Sequence, residues 1–507
     1  MRKQSRSEPV RRPAGPRSEF RDSDVNHLAT RVERRGYQHY LLAMHLEKLR
    51  GFVGQKITFD FPVTAIIGPN GGGKSTVLGA AALVHRDIEI PKVFPRSGSY
   101  DAGMKGWKIG YQLLDGKAKH VTYRTATFSS QRWDRGRAVG RPVVRFGVDR
   151  TVPASERKSF ARFISGTFAA GRETAPEPDV SREVSRILGR PSAEYVMVYP
   201  EGDADLAMLA AHGPKGERYS EFHFGAGEAS VARVVNGINA APDESLVLIE
   251  EIENGLHPAA TSSLVEYLLF AARKRGIQVI FTTHSNDALE YLPPPAIWVA
   301  YDGRLVQGKV DVRTLRTLTG RVSVRLVIYV EDRFGQEMAR TALRWWQGGR
   351  LDTSAVEICA AEGADTALNL HRWHRLSSTV PYPSVCIVDG DKRDRCADAV
   401  DAVAFPGNGH PEGYVFDAVV ARLDDLLDDL TRAMQLPGGS APEIRAAVES
   451  TARRNRDRHG VFGQIADEIG GQLLVVEGAF LSLWAEHWPE DIDALLSPLA
   501  ERLYLLG

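Results

Sequence analysis

Gly68-Pro-Asn-Gly-Gly-Gly-Lys-Ser75 fits the pattern G-x-x-x-x-G-K-[ST]. A short apolar stretch, 64–67, runs into it, and an alanine- and leucine-rich stretch, 75–84, follows. The sequence therefore predicts strand, glycine-rich turn and helix in the order that a phosphate loop needs. Glycines let successive backbone N–H groups converge on phosphate oxygens, and the helix N-terminus adds its positive dipole. Lys74 is placed to reach the β- and γ-phosphates and Ser75 to hold Mg²⁺. Asn70, Gly71, Gly73 and Thr76 complete the expected contacts to ATP.

Two further stretches fit the same chemistry. Leu246-Val-Leu-Ile-Glu250-Glu251 is an apolar run ending in two acids. Such a run reads as a strand buried on both faces of a parallel sheet, with its acids at the carboxyl edge beside the phosphate loop. Glu250 is the expected Mg²⁺ partner, and Glu251 the group that orients or deprotonates the attacking water. Pro258 opens a helix that Gly276 can cap, and 278–282 is the next strand, which makes one βαβ unit. Phe281-Thr-Thr-His284-Ser then puts an imidazole across the same edge, where it can sense the γ-phosphate.

The chain has 507 residues, too many for one core, with 43% hydrophobic and 25% charged residues, an ordinary globular balance. Net charge is zero, so attraction to nucleic acid must come from local patches. No apolar stretch is long enough to span a bilayer, and no secretory leader is visible, so a cytoplasmic protein without membrane contact is expected. Cys359, Cys386 and Cys396 have neither zinc spacing nor a paired framework. Residues 1–36, rich in Arg, Ser, Glu and Pro, read as a disordered, basic-leaning tail. Residues 37–315 read as the nucleotide-binding domain, with 85–222 as an insertion. Within it, 107–114 and 120–128 are expected as a hairpin, 141–148 as a further strand, 155–163 and 181–188 as helices, and 171–179 as a loop. The insertion carries Arg124, Arg132, Arg135, Arg137, Arg141, Arg145 and Arg150 interleaved with Phe128, Trp133 and Phe146. That mixture suits either phosphate contact with base stacking or a solvated hairpin face.

The three motifs together resemble the ABC-like ATPases, in particular the branch of SMC-type and OLD-type proteins. Glu250-Glu-Ile-Glu-Asn-Gly-Leu-His-Pro258 looks like that branch's Walker B segment and D-loop, and Phe224-Gly-Ala-Gly-Glu228 resembles the family signature. Gly225 stands where the signature usually has Ser. The resemblance implies a homo-oligomer, at least a dimer. In it, Gly227 and Glu228 at a helix start would close on the nucleotide held by another subunit.

A second α/β pattern begins near residue 325. Leu326-Val-Ile-Tyr-Val-Glu331-Asp332 and Cys386-Ile-Val-Asp389-Gly-Asp391 both read as strands ending in acids. Several carboxylates at neighbouring strand ends make a hard, oxygen-lined Mg²⁺ site, with Mn²⁺ as a possible occupant. Glu331, Asp389 and Asp391 are the first candidate ligands, with Asp332, Glu337 and Glu412 behind them. These pieces resemble the Toprim domain of OLD-family nucleases. The expected architecture is thus an α/β chain: an ABC-type P-loop ATPase domain with an inserted arm, a Toprim-like α/β domain over 322–415, and a helical region over 416–507. The resemblance implies an ATP-dependent DNA endonuclease, with defence against phage as its setting and a separate defence protein as a possible partner. One departure stands out: no Lys follows Lys392, where active relatives often use one. Lys392 itself, Arg453, Arg454, Arg456 and Arg458 are the candidate replacements. The rival readings are an ATPase sensor or scaffold with a non-cutting second domain and an SMC-like repair ATPase. The latter needs long heptad arms, which the insertion lacks.

Overall fold

The computed structural model describes residues 21–95, 103–116, 120–129, 132–157, 160, 170–174, 178–190, 194–200, 208–213, 216–309, 325–346, 353–377, 380, 382–397, 399–434, 436 and 440–503. Helix α1 (Asp22–Glu33) opens the described chain. It corrects the expectation of a disordered tail over 1–36. Leu28 and Val32 are buried, and Arg273 pairs with Asp24 to hold the helix on the domain. Residues 1–20 lie outside the described residues.

Strands β1 (His39–Leu49), β2 (Phe52–Thr58) and β3 (Val63–Ile67) lead to α2 (Lys74–Leu83). Next come β4 (Lys108–Asp115), β5 (Val121–Ser129), β6 (Arg132–Asp134) and β7 (Val143–Phe146). The segment read as one inserted arm is divided between two sheets. Strands β4 to β6 extend the β1–β2 hairpin into an antiparallel sheet of order β2-β1-β4-β5-β6, whereas β7 enters the sheet that carries the phosphate loop. The rest of the segment holds β8 (Ala170–Thr174), α3 (Pro178–Leu188), β9 (Glu194–Pro200), β10 (Met208–His212) and β11 (Arg218–Ser220). These four strands form a third sheet. The loop expected over 171–179 is therefore partly strand. Of the helix expected over 155–163, the described residues show a 3-10 turn at Ala154–Glu156, and most of the remainder lies outside them.

The sheet that carries the phosphate loop is completed by α4 (Ala226–Ala240), β12 (Leu246–Ile249), α5 (Pro258–Arg275), β13 (Gln278–Thr283), β14 (Ile297–Tyr301) and β15 (Arg304–Gln307). Its order is β15-β14-β3-β13-β12-β7, parallel except for β15. Each central strand is buried on both faces, and its side chains alternate between two cores. Val63, Ala65, Val247, Ile249, Val279 and Phe281 face α4 and α5. Ile66, Leu246, Leu248 and Ile280 face α2 and the antiparallel sheet.

The second α/β unit contains β16 (Leu326–Val330), α6 (Arg333–Trp345), β17 (Val356–Ala360), α7 (Ala364–Leu376), β18 (Ser384–Val388) and β19 (Ala402–Ala404). Its sheet is wholly parallel, in the order β17-β16-β18-β19. The same alternation joins it to its neighbours. Val327 and Tyr329 continue the ATPase-side core through Trp373, whose ring meets Tyr301 edge-on at 5.0 Å. Gly308 lies so close to Thr366 that an added Cβ would meet Thr366 Oγ1 at 2.1 Å. Leu326, Ile328 and Val330 face α8 (Pro411–Ala421), α9 (Leu423–Ala433), α10 (Ala441–Arg454), α11 (Val461–Glu468), α12 (Leu473–His487) and α13 (Pro489–Leu496). The boundary expected at 415/416 therefore falls inside α8. Val415, Phe416, Phe462, Phe480 and Trp484 share one core with the sheet, so the helical region is the second layer of this unit. The boundary expected between 315 and 322 lies outside the described residues. No described helix is long and apolar enough to cross a membrane.

Candidate functional site

The phosphate loop turns where L side chains are disfavoured or blocked. Gly71 and Gly73 have φ of 80° and 98°. A Cβ on Gly72 would meet the Ala300 carbonyl oxygen at 2.5 Å, and one on Gly73 would meet the Phe52 ring at 2.4 Å. Lys74 is 7% exposed, and its ammonium donates to the carbonyls of Gly68 and Pro69 at 2.9 and 3.0 Å. Burial lowers its pKa to about 8, with Glu251 and Glu253 opposing. A cavity of about 450 Å³ lies over the loop. Asn70, Gly71, Gly73, Lys74, Ser75 and Thr76 line it, with Glu251 on the opposite wall.

Glu251 is held there by strain and by hydrogen bonds. Its φ is 45°, and its N–H donates to Thr282 Oγ1 at 2.8 Å. Thr282 also lines the cavity. Glu250 does not; its carboxylate lies 3.9 Å from Arg145, and burial raises its pKa. His284 lies within electrostatic reach of Lys74, Glu253 and Glu251. Its Nε2 is buried without a protein partner, and burial first, then Lys74, lowers its pKa. Its backbone N–H donates to Glu253 Oε1 at 2.7 Å, while Thr283 Oγ1 donates to Glu253 Oε2 at 2.7 Å. The loop, Glu251 and Thr282 thus share one crevice, with His284 just past the end of the strand that carries Thr282, and a buried ammonium under a glycine cradle fits a triphosphate with its Mg²⁺.

Gly227 and Glu228 lie elsewhere. A Cβ on Gly227 would meet the Gly255 carbonyl oxygen at 2.5 Å, so the start of α4 is seated on the turn after β12. The Glu228 carboxylate accepts from Tyr195 and Tyr219 at 2.9 and 3.1 Å and pairs with Arg190 at 3.5 Å. Within the chain the Glu228 carboxylate is thus a structural anchor, and neither residue lines the cavity over the phosphate loop, as expected of groups that would meet nucleotide held by another subunit.

Residues outside the motifs complete the crevice. Arg50, at the β1–β2 turn, lines the cavity and donates to Thr76 Oγ1 at 2.9 Å. Arg150, read from sequence as one of a basic patch, is 4% exposed. It donates to the carbonyls of Gly147, Glu250 and Glu251 and to Ser230 Oγ, which ties the end of β12 to α4. Arg141 is also buried, on Glu244, Ser245 and Gln278, and Trp133 and Phe128 are core residues. This part of the patch is structural.

Comparison with known proteins agrees with this geometry. A family profile described as "AAA domain, putative AbiEii toxin, Type IV TA system" matches residues 147–290, and one described as "AAA domain" matches residues 43–84. The matched residues include the phosphate loop, Glu250, Glu251 and His284, so the first unit contains an AAA-type P-loop domain. Similar solved structures include the SMC head domain from Thermotoga maritima, at 15% identity and a TM-score of 0.34, which covers 53% of this chain and 99% of that one. They also include an SMC head from Pyrococcus furiosus bound to the C-terminal domain of ScpA, at 13%, 0.36, 53% and 96%. A third is the recombination mediator RecF with ATP, at 11%, 0.35, 54% and 98%. No curated protein matches. Both profile matches end before the second sheet.

At the carboxyl edge of that second sheet the acids converge. Glu331 Oε1 accepts the Asp389 N–H at 2.6 Å. Asp389 is 3% exposed; burial, then Glu331, pushes its pKa up to about 8. Its Oδ1 has no protein partner, and neither has Glu412 Oε2. Such orphaned buried oxygens fit a cation. Asp391 pairs with Lys392. Asp332 caps α6 by accepting the Gly335 N–H at 2.8 Å and also reaches Glu412. Glu337 pairs with Arg340 on the helix surface and takes no part. Two histidines absent from the sequence reading enter here: His410 Nδ1 lies 3.2 Å from Asp389 Oδ2, and His459 Nδ1 lies 3.3 Å from Glu412 Oε1. His410 is two residues before Glu412, a signal available in the sequence, whereas His459 lies on a different helical turn.

Two predictions follow from this geometry. Arg150→Met should leave nucleotide binding nearly intact but lower the ATPase kcat by about 100-fold, because the Glu251 backbone loses its tether. Steady-state ATPase assays with nucleotide titration check this, and an unchanged kcat would make Arg150 purely structural. The raised Asp389 pKa means that the folded chain holds a proton there that the unfolded chain releases, so this group's contribution to stability falls as pH rises from about 4 to about 8. Asp389→Asn should therefore raise the melting temperature in EDTA, by more at the upper end of that window, and thermal melts at a series of pH values read it out.

Proposed function

We propose that the chain is an ATP-hydrolysing OLD-like protein in which ATP-driven dimer closure controls metal-dependent cleavage of DNA, in a setting of defence against phage. The observation that carries the cleavage reading is the buried Asp389, with one oxygen unpartnered among Glu331, Asp391 and Glu412.

In the first site, the loop amides, Lys74 and Ser75 hold the phosphates. Glu251 positions the attacking water and takes its proton, and His284 senses the γ-phosphate. The helix start at Gly227 in a second copy closes the crevice by its N–H groups. In the second site, Glu331, Asp389 and Asp391 hold the cation, which supplies the positive charge that a phosphodiester needs at its attacking and leaving oxygens. The two sites are coupled through packing. The ATPase sheet ends at β15, Gly308 rests on Thr366 of α7, and the N–H of Gly363, before α7, donates to the Glu331 carbonyl at 2.9 Å.

A second reading, an ATPase sensor with a non-cutting second domain, is favoured by the charges downstream. No Lys follows Lys392; Arg458 pairs with Asp417 at 2.9 Å and Arg453 with Glu449 at 3.6 Å. Nicking of supercoiled plasmid with Mg²⁺ or Mn²⁺, with and without ATP, separates the two. The nuclease reading predicts nicking that falls by about 100-fold or more in Asp389→Ala. No nicking under any metal or nucleotide condition overturns it in favour of the sensor.

A further inference from the structure

Two mixed donor sets stand side by side at the acidic edge: Asp389, Asp391 and His410, and Asp332, Glu412 and His459. Within each, one ligand atom from every residue lies within 4.8 Å of the others. We propose that His410 and His459 are metal ligands and that this edge holds two adjacent transition-metal ions of the Mn²⁺ or Zn²⁺ kind. The proposal rests on the metal-dependent reading of the edge and adds which cation it takes and which residues choose it.

The buried oxygens point to bound ions. Asp389 and Glu412 are 3% and 6% exposed, and each has one oxygen that no protein donor reaches. Leaving a buried carboxylate half-satisfied is costly unless a cation completes it. The imidazoles then decide the kind of cation. Mg²⁺ favours an all-oxygen shell, whereas Mn²⁺, Co²⁺ and Zn²⁺ accept nitrogen readily.

The two rings lie with centroids 3.6 Å apart. This ring contact sets the two donor sets side by side.

Both histidines are held by the backbone around them. The Asp389-Gly390-Asp391 turn packs on the 407–409 loop so tightly that a Cβ on Gly390 would meet the Gly407 carbonyl oxygen at 2.5 Å. Arg393 donates to the Phe405 and Gly407 carbonyls at 2.8 Å, which fixes the approach to His410. The His459 N–H donates to Asp457 Oδ1 at 3.1 Å. The His459 side chain is 46% exposed, which gives an ion a way in.

The test uses the full chain, stripped of metal and free of nucleotide and DNA. It is incubated with Mn²⁺ plus a large excess of Mg²⁺, desalted, and its metal counted by mass spectrometry, with Mn²⁺ affinity measured by calorimetry. The expected result is about two Mn²⁺ retained per wild-type chain, as for a two-metal site. His410→Gln and His459→Gln should each weaken Mn²⁺ binding by about 10- to 100-fold. Melting curves in EDTA show whether each variant is folded, and His410→Asn or His459→Asn replaces the one at the same position that is not. Exchange of Mn²⁺ for Mg²⁺ in the wild type, or wild-type affinity in folded histidine variants, overturns the proposal. Histidine-dependent Mn²⁺ binding without plasmid nicking upholds the ligand set and sinks the nuclease reading. Nicking with Mg²⁺ and histidine-independent metal binding does the reverse.

Discussion

Parallel pairing of β3, β13 and β12 is the constraint on which the rest of the molecule depends. In a parallel sheet every carboxyl end faces the same way, so whatever follows each strand is delivered to one edge. The phosphate loop follows β3, Glu250 and Glu251 follow β12, and His284 follows β13. Segments more than 200 positions apart in the chain thereby share one crevice. The backbone holds Glu251 in the left-handed region at φ 45°, a conformation that persists only where surroundings over-determine it. Arg150 and Thr282 are those surroundings.

The second sheet repeats the device with the opposite electrostatics. The first edge gathers a buried ammonium and backbone N–H groups, which suit an anion. The second gathers carboxylates, which suit a cation. Glu331 and Asp389 at the ends of β16 and β18 are raised in pKa chiefly by their own burial. That is a stability cost placed at a site, and it is sustained by two well-filled cores on either face of the sheet. The core shared by Tyr301, Val327, Tyr329 and Trp373 makes the two units one packed body at this junction, so movement at the first edge has a physical route to the second.

Most of the central strands and helices were legible because their signals are local. Buried parallel strands read as unbroken apolar runs, and Pro258 with Gly276 brackets α5 in the sequence as in the structure. The division of the inserted segment was not legible. The stretch 141–148 reads as a strand and holds Val143–Phe146, but its partner β12 lies about 100 positions away, so nothing local says which sheet it joins. The tail was read by composition, yet two apolar side chains, Leu28 and Val32, suffice to seat α1. Glu228 fits a motif by position, and only the tyrosines of the third sheet reveal that its carboxylate is committed elsewhere. His459 is 47 positions from Glu412, and no spacing rule connects them.

The account stands or falls on the first crevice acting on a single triphosphate, and Glu251→Gln tests this most directly. With radiolabelled ATP, the variant should bind nucleotide as tightly as the wild type while hydrolysing it at least about 100-fold more slowly, since only the proton acceptor is lost. Hydrolysis at the wild-type rate would show that the wall opposite the phosphate loop has no part in the chemistry, and would contradict the convergence on which everything else here is built.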